Sequence, residues 1–280
     1  MEKTLVFQSD FGLVDGAVAA MYGVALGVDE NLRLFDLTHE IIPYDIWEAS
    51  YRLFQTVQYW PQGTVFVSVV DPGVGSDRKS VVAKTKLGHY VVTPDNGTLT
   101  HLKLYVGIES VRRIDEARHM RGDSGGSYTF HGRDLYANTG AKLAAGKISF
   151  EEVGELLDSS AISELTVGNV QADEHSVMGC IDTLDVRFGS LWTNITREDF
   201  FKLGVEYGSQ VEVAIRNGHT LVYNNRVTYG KSFADVYVGE QILYVNSLFR
   251  MALAINQGNF ARAYSVGTGL QWSIQLKKVK

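Results

Sequence analysis

The 280-residue sequence has a single cysteine and four prolines. One cysteine, Cys180, cannot close an internal disulfide, which excludes a disulfide-stapled secreted scaffold and makes the cytoplasm the expected setting. It lies in the apolar run Val177-Met178-Gly179-Cys180-Ile181, which favours a buried structural thiol over a nucleophile. Four prolines leave no proline-rich linker. No apolar run reaches the roughly 20 residues needed to cross a bilayer, and Met1-Glu2-Lys3 leads straight into the strand-like Thr4-Leu5-Val6-Phe7 with no signal-peptide pattern. Positive charge is also short: 26 Lys and Arg stand against 32 Asp and Glu, a net charge of -6. A nucleic-acid surface would need a basic stripe, so neither nucleic acid nor membrane is an expected partner.

Standard catalytic signatures are missing as well. No G-x-G-x-x-G or Gly-Lys-Ser/Thr loop follows the first strand. Asp10, Asp71, Asp95 and His131 could in principle ligate a divalent cation, but no H-E-x-x-H, C-x-x-C or D-x-D cluster supports a metal, and none is expected. No strand runs into a G-x-S-x-G elbow, so a Ser-His-Asp hydrolase is not supported.

What is present is an ordinary globular composition, 45% hydrophobic and 21% charged, with 28 glycines. A chain of this length suggests two domains. The first half alternates strand-like and helix-like segments: strands at Leu5-Phe7, Leu32-Leu37 and Val65-Val70, helical periods over 15–28 and 46–59, paired strands around Lys86-Leu87-Gly88, and a helix over 135–145 closed by Gly146. This pattern predicts an α/β domain with a mostly parallel sheet and flanking helices. The second half has short strand-like runs at Val177-Ile181, Ser190-Ile195, Gln210-Ile215, Thr220-Tyr223 and Gln241-Asn246, with a hairpin signal at Asn217-Gly218. That predicts an all-β domain. The boundary falls in the polar stretch 158–174, giving expected domains 1–165 and 166–280.

Several polar groups sit where such a sheet would bind ligands. Asp10, in Ser9-Asp10-Phe11-Gly12, follows the first strand; it could accept hydrogen bonds from a ribose diol or cap the next helix, and Asp15 is well placed for a cap. Asp71 and Arg78 lie seven residues apart across Gly73 and Gly75, which allow the loop to fold back and the two side chains to meet. Either they form a loop-stabilising ion pair or Arg78 holds a functional carboxylate ionised. His131, in Phe130-His131-Gly132-Arg133-Asp134, follows the glycine-rich segment 122–126, at a helix start where an imidazole can face a cleft. In the second half, Phe188 and Trp192 could stack on a base or belong to a core.

These segments recur in order in one family. Ser9-Asp10-Phe11-Gly12 with Asp15, Thr38-His39-Glu40-Ile41-Ile42-Pro43, Asp71-Pro72-Gly73-Val74-Gly75, Pro94-Asp95-Asn96-Gly97, Phe130-His131-Gly132-Arg133-Asp134, Asp185-x-x-Phe188-Gly189-x-x-Trp192-Thr193-Asn194 and Asn246-Ser247 span nearly the whole chain. On them the chain resembles the S-adenosylmethionine hydroxide adenosyltransferases, or S-adenosylmethionine (SAM) hydrolases, relatives of the fluorinases and chlorinases. The resemblance implies a barrel-like C-terminal domain and a homotrimer in which that domain completes the nucleoside site of a neighbouring subunit. It implies hydrolysis of SAM to adenosine and L-methionine with no cofactor.

The same resemblance implies a catalytic set of Asp71, Arg78 and His131. It implies that Asp10 holds the ribose hydroxyls, that Tyr44 packs on the ribose, and that Asp15 and Asp185 lie near the methionine ammonium. Phe188, Ser190 and Trp192 would enclose the adenine and sulfonium end, Ser247 would lie at the methionine carboxylate, and Asn246 beside it would also bind substrate. The chain departs from the halogenating relatives in carrying Leu248 in place of an arginine and Phe249 in place of a small residue. Those relatives have neutral residues where Asp71 and His131 stand, which argues against halogenation. A non-catalytic adenosine or SAM binder is the competing expectation; it would need Asp10, Phe188 and Trp192 but not Asp71, Arg78 and His131.

Overall fold

β-Branched and aromatic runs with few polar interruptions form β1 (Thr4–Ser9) and β3 (Val65–Val69), which are buried on both faces, while β2 (Arg33–Thr38), at the sheet edge, is partly exposed. β1 is followed by α1 (Ala17–Val28), β2 and α2 (Ile46–Thr56), then β3, β4 (Ser80–Thr85) and β5 (Tyr90–Pro94). α3 (Thr100–Tyr105), β6 (Ile108–Arg113), α4 (Glu116–His119), a π-helical segment (Gly132–Ala137), α5 (Asn138–Ala144) and β7 (Leu156–Leu157) complete this part. The computed structural model describes residues 3–122 and 129–279, so most of the glycine-rich segment expected before His131 lies outside the described residues. The chain divides into two compact units, 1–165 and 166–280.

The first unit carries a seven-stranded sheet in the order β2-β1-β3-β5-β4-β6-β7. β2, β1, β3 and β5 run parallel; the β4–β5 hairpin, with β6 and β7, extends one edge antiparallel. Alternation along the strands splits the core into two layers. Leu5, Phe7, Val65, Val67 and Val69 pack under Met21 of α1 and Ala141 of α5. Val6, Phe66, Val81 and Val91 pack on the other face against Leu53 of α2 and Leu102 of α3. The expected mostly parallel α/β sheet is therefore present, covered on both sides.

β2 and β3 flank β1 on opposite sides, so the carboxyl ends of β1 and β3 sit at a switch in strand order, where α/β sheets open a crevice. Asp10 directly follows β1, and Asp71 comes two residues after β3. The helix expected over 135–145 starts three residues earlier, as the π-helical segment, and Gly146 closes it with a φ of 69°.

The second unit consists of β8 (Gln171–Ala172), β9 (Ser176–Leu184), β10 (Leu191–Thr196), α6 (Arg197–Phe201), β11 (Gln210–Asn217), β12 (Thr220–Tyr229), β13 (Gln241–Val245), β14 (Arg250–Ile255), α7 (Phe260–Tyr264) and β15 (Gly269–Lys278). The strands run β10-β14-β13-β12-β11-β15-β9, and β9 pairs back to β10, closing a seven-stranded barrel with β8 outside on β9. Closure removes the exposed edges that an open sheet would leave. Asn217-Gly218 makes the β11–β12 turn as expected, with Gly218 at a φ of 55°. Ile181, Leu191, Val213, Leu253, Phe260 and Ile274 fill the interior. Among the described residues no helix is long and apolar enough to cross a membrane.

Gly140 is the tightest point between α5 and the sheet. A Cβ there would lie 2.5 Å from Val67 Cγ2 and 3.3 Å from Leu5 Cδ1. Gly140→Ala should therefore destabilise the chain by about 1–3 kcal/mol, despite alanine's better helix propensity. Urea unfolding of the variant checks this; an unchanged or raised midpoint would mean that the helix–sheet gap closes by simple displacement.

Candidate active site

The loop from β3 to β4 builds the first half of the site. Gly75 takes a φ of 80°, open to glycine at little cost, and the loop turns back through bonds from the Val74 N–H to the Asp71 carbonyl (3.2 Å) and from the Ser76 N–H to the Gly73 carbonyl (3.0 Å). Arg78 thereby returns beside Asp71. Its Nε donates to Asp71 Oδ1 at 2.7 Å and its Nη2 to Asp71 Oδ2 at 2.5 Å. Both side chains are nearly buried, 9% and 6% exposed, so this is no solvated surface pair.

The rest of the guanidinium is also used. Nη1 donates to Ser80 Oγ at 3.1 Å, and Ser80 in turn donates to Glu116 Oε1 at 2.8 Å. With the serine proton committed to Glu116, the Tyr136 hydroxyl, 3.1 Å from Ser80 Oγ, is the donor of that pair. Burial pushes the Tyr136 phenol up, so it stays neutral. Burial would lower the Arg78 pKa, but the bonds to Asp71 and the charges of Asp71 and Glu116 outweigh it and raise it.

Nη2 also lies 3.2 Å from His131 Nδ1. A guanidinium only donates, so Nδ1 accepts and the ring proton sits on Nε2. That Nε2 is buried and has no hydrogen-bond partner among the described residues. His131 immediately precedes the π-helical segment, whose first residue, Gly132, lies close against the Phe11 ring.

Asp71 and His131 line a cavity of about 390 Å³ at the carboxyl ends of β1 and β3, together with Asp10, Tyr44 and an apolar wall that includes Phe11, Val74 and Phe130. Asp10 Oδ2 accepts the Tyr44 N–H at 2.8 Å. Tyr44 has a φ of 70° and a ring that is 72% exposed. Asp10 thus stabilises the segment after β2 rather than the helix start. Asp15 instead accepts the Ala17 N–H at 2.9 Å from one residue ahead of Gly16, the N-cap of α1, so it supports the helix start without being its cap, and it does not line this cavity.

The second unit gathers its own group. Asp185 Oδ1 accepts the Arg187 and Phe188 N–H groups at 3.1 and 3.2 Å, shaping a turn that leaves the Phe188 ring 70% exposed. Gly189 closes that turn at a φ of 67°, tight against Asn259 at the start of α7. Ser190 and Trp192 are buried. Beside them lies Tyr244, whose phenol burial raises, with the neighbouring Ser190 and Trp192 opposing the rise. Asn246 Oδ1 accepts the Leu248 and Arg250 N–H groups at 2.9 and 3.1 Å, forming a turn with Phe249 at a φ of 57° and Ser247 exposed.

Sequence reasoning missed Ser80, Glu116, Tyr136 and Tyr244, which carry no motif and stand out only by contact. The letters G-x-S-x-G do occur at residues 122–126. They follow α4 rather than a strand, and Ser124 lies outside the described residues. Among the described residues there is no cluster of three His, Cys, Asp or Glu suited to a metal.

Comparison with known proteins agrees over both units. Residues 5–154 match the SAM hydroxide adenosyltransferase N-terminal domain and residues 179–273 the corresponding C-terminal domain. The chain belongs to the SAM hydroxide adenosyltransferase family. Relatives include a (R)-S-adenosyl-L-methionine hydrolase of Methanocaldococcus jannaschii, 32% identical over 82% of this chain and 80% of that protein. One of the same name from Thermus thermophilus is 31% identical over 96% and 98%. A fluorinase of Nocardia brasiliensis is 28% identical over 98% and 96%. A crystal structure of an uncharacterized conserved protein from Thermotoga maritima superposes with a TM-score of 0.89 at 32% identity, covering 98% of this chain and 100% of that one.

In this family member the 246–250 turn is backed by a buried ion pair. Arg250 Nη1 donates to Asp182 Oδ2 at 3.3 Å. Burial raises the Asp182 carboxyl from 3.8 to about 6, with Arg250 pulling the other way. The folded pKa lies above the unfolded one, so the folded protein holds this proton more tightly. The group's contribution is fully present below about pH 4 and is lost as pH rises through about 6, by roughly 3 kcal/mol. Asp182→Asn should abolish that component: the stability of wild type minus variant, from denaturant unfolding at a series of pH values, should fall between pH 4 and 7. A flat difference would show that Arg250 keeps Asp182 ionised throughout.

Proposed function

We propose that the chain hydrolyses S-adenosyl-L-methionine to adenosine and L-methionine, by water attack at the ribose 5′ carbon in line with the C–S bond. The observation that carries this is Arg78 bridging Asp71 and His131 at the wall of the cavity that also holds Asp10. The names of the two hydrolase relatives and the family match support the same substrate. A module that only bound a nucleoside would not need a buried arginine shared between a carboxylate and an imidazole.

The sulfonium leaves as a neutral thioether, taking the electron pair of the broken C–S bond, so no acid is required at the leaving group. The new C–O bond forms from water, which must lose a proton. His131 carries its ring proton on a buried Nε2 and uses its Nδ1 lone pair on Arg78, so it braces the guanidinium rather than meeting the water. Asp71 has lone pairs beyond those used by Arg78 and offers the acceptor. We therefore assign the proton to Asp71, and the positioning of Asp71 to Arg78 and His131. Positioning of this kind can contribute about 7–11 kcal/mol when geometry is near ideal.

The remaining roles follow the family resemblance. Asp10 would hold the ribose hydroxyls with Tyr44 against the ring. Asp15 and Asp185 would lie near the ammonium, Phe188, Ser190 and Trp192 around the adenine and sulfonium, and Ser247 at the carboxylate with Asn246 beside it. With Leu248 in this turn, the exposed Ser247 and main-chain N–H groups would have to hold the carboxylate. A homotrimer would let the second unit of one copy complete the cavity of the next. The fluorinase relatives raise halide as a competing nucleophile. A halide about 4 Å from the Asp71 carboxylate would be repelled by roughly 4 kcal/mol at an effective dielectric of 20, before the offset from Arg78.

The test is incubation with SAM in chloride-free buffer, with adenosine and methionine followed by chromatography. Equal release of both is expected. Asp71→Asn should lower kcat by about 10²–10⁴-fold while adenosine affinity stays within a few-fold. Tight nucleoside binding without turnover would move the chain to the binding-protein reading. A 5′-halogenated product formed at a comparable rate on adding chloride or fluoride would overturn the role given to Asp71.

A further inference from the structure

His39, in the segment Thr38-His39-Glu40-Ile41-Ile42-Pro43, has no part in the chemistry above, yet it is buried directly behind Asp10. Its Nδ1 lies 2.7 Å from Ser9 Oγ and its Nε2 lies 3.1 Å from Asp36 Oδ1. Serine, histidine and aspartate in contact suggest a hydrolytic triad, but Ser9 is completely buried and cannot reach a substrate. The three residues do something else.

Hydrogen-bond directions show what. The Tyr22 hydroxyl donates to Asp36 Oδ1, so Asp36 is an acceptor and His39 must donate to it from Nε2. Burial lowers the His39 pKa against the pull of Asp36 and Glu40, which keeps Nδ1 as a lone pair. The Phe11 N–H can only donate, and it reaches Ser9 Oγ at 3.2 Å. Ser9 therefore gives its own proton to His39 Nδ1. From the other side, the His39 carbonyl accepts the Gly12 N–H at 2.8 Å. One residue thus fixes the main chain on both sides of Asp10, at Phe11 through Ser9 and at Gly12 directly.

We propose that His39 is a positioning residue that fixes the turn from Ser9 to Gly12 and so aims the Asp10 carboxylate into the cavity. The proposal rests on the function given above, in which Asp10 takes the ribose. His39 touches no reacting atom, so its loss weakens nucleoside binding rather than the attack of water. Asp10 is held at a second point by the Tyr44 N–H, so the loss is partial.

The experiment compares wild type with His39→Ala, His39→Asn and Ser9→Ala. Each is assayed for SAM turnover, for adenosine affinity, and for amide hydrogen exchange in peptides covering 9–13 and, as a control, β3. Asparagine can return an acceptor near the Nδ1 position. His39→Ala should raise KM and the adenosine Kd about tenfold, the scale of one internal hydrogen bond lost with its partner left unsatisfied, with kcat changed less than threefold. Exchange should quicken over 9–13 and stay slow over β3. His39→Asn should recover part of the affinity, and Ser9→Ala should reproduce the loss from the other end of the bond.

A fall in kcat at unchanged KM, or unchanged exchange over 9–13 in both His39→Ala and Ser9→Ala, would overturn the proposal. Equal quickening over 9–13 and β3 would show a general loss of stability and would overturn it too. Wild type that fails to consume SAM would overturn the proposed function, while exchange over 9–13 would still report on whether His39 holds the turn.

Discussion

The first unit's site depends on the buried guanidinium of Arg78. Taking a charge out of water costs several kcal/mol unless close partners compensate. Here Asp71 takes two of the donors in a fork, Ser80 a third, and His131 shares one of the two already given to Asp71. These partners come from the end of β3, the start of β4 and the residue before the π-helical segment. The arginine thus ties three pieces of chain that meet nowhere else in sequence. A lysine would put one ammonium where a planar fork is needed and could not serve all three directions. Because an arginine can only donate, it also fixes which atom of His131 carries the proton.

Around that tie, the sheet supplies the opening and the glycines supply the closeness. The strand order places the ends of β1 and β3 side by side, and the two carboxylates of the cavity wall, Asp10 and Asp71, come from those two ends. They are treated differently. Asp71 faces the guanidinium of Arg78, which holds both of its oxygens. Asp10 is held by a main-chain N–H at its rim, which orients it without a counter-charge and suits it to neutral hydroxyl donors. In the second unit, barrel closure serves a similar end: the 185–190 and 246–250 turns rise from strands whose edges are fully paired, so their exposed residues stand on a rigid base.

Much of this was legible in the sequence because period and glycine placement have direct physical meaning. The alternation of helix and strand predicted the covered parallel sheet, Asn217-Gly218 marked the β11–β12 hairpin of the barrel, and Gly73 with Gly75 foretold that Asp71 and Arg78 would meet. Other features were not legible. β14 and β15 were passed over although β15 alternates strictly, with Leu270, Trp272, Ile274 and Leu276 against Gln271, Ser273 and Gln275; β14, Met251 to Ile255, is a short apolar run whose two alanines carry little strand preference, and a barrel strand is defined by its neighbours as much as by its own residues. The π-helical start at Gly132 left no mark in the sequence, and the close approach of Gly132 to the Phe11 ring joins residues 121 positions apart in the chain. Phe188 and Trp192 share a helical-looking spacing, but they part company at Gly189: one is exposed on a turn and the other buried in β10. Ser80, Glu116 and Tyr136 are ordinary residues in ordinary contexts, and only their approach to Arg78 distinguishes them.

The hydrogen bonds of the first unit separate holding from reacting. Behind Asp10, Tyr22, Asp36, His39 and Ser9 form a chain in which each donor has an acceptor, ending on the main-chain N–H of Phe11. Behind Asp71, the chain from Glu116 through Ser80 to Arg78 is likewise satisfied. Each ends at the cavity wall, and there the two carboxylates differ. Asp71 is gripped on both oxygens by Arg78, which His131 braces from behind with its Nε2 buried inside the wall. Asp10 is held by one main-chain N–H. A carboxylate with both oxygens on a planar fork cannot swing, whereas one held at a single oxygen keeps some freedom, so the wall is stiffest at Asp71 and the supports behind Asp10 matter more to where that carboxylate points.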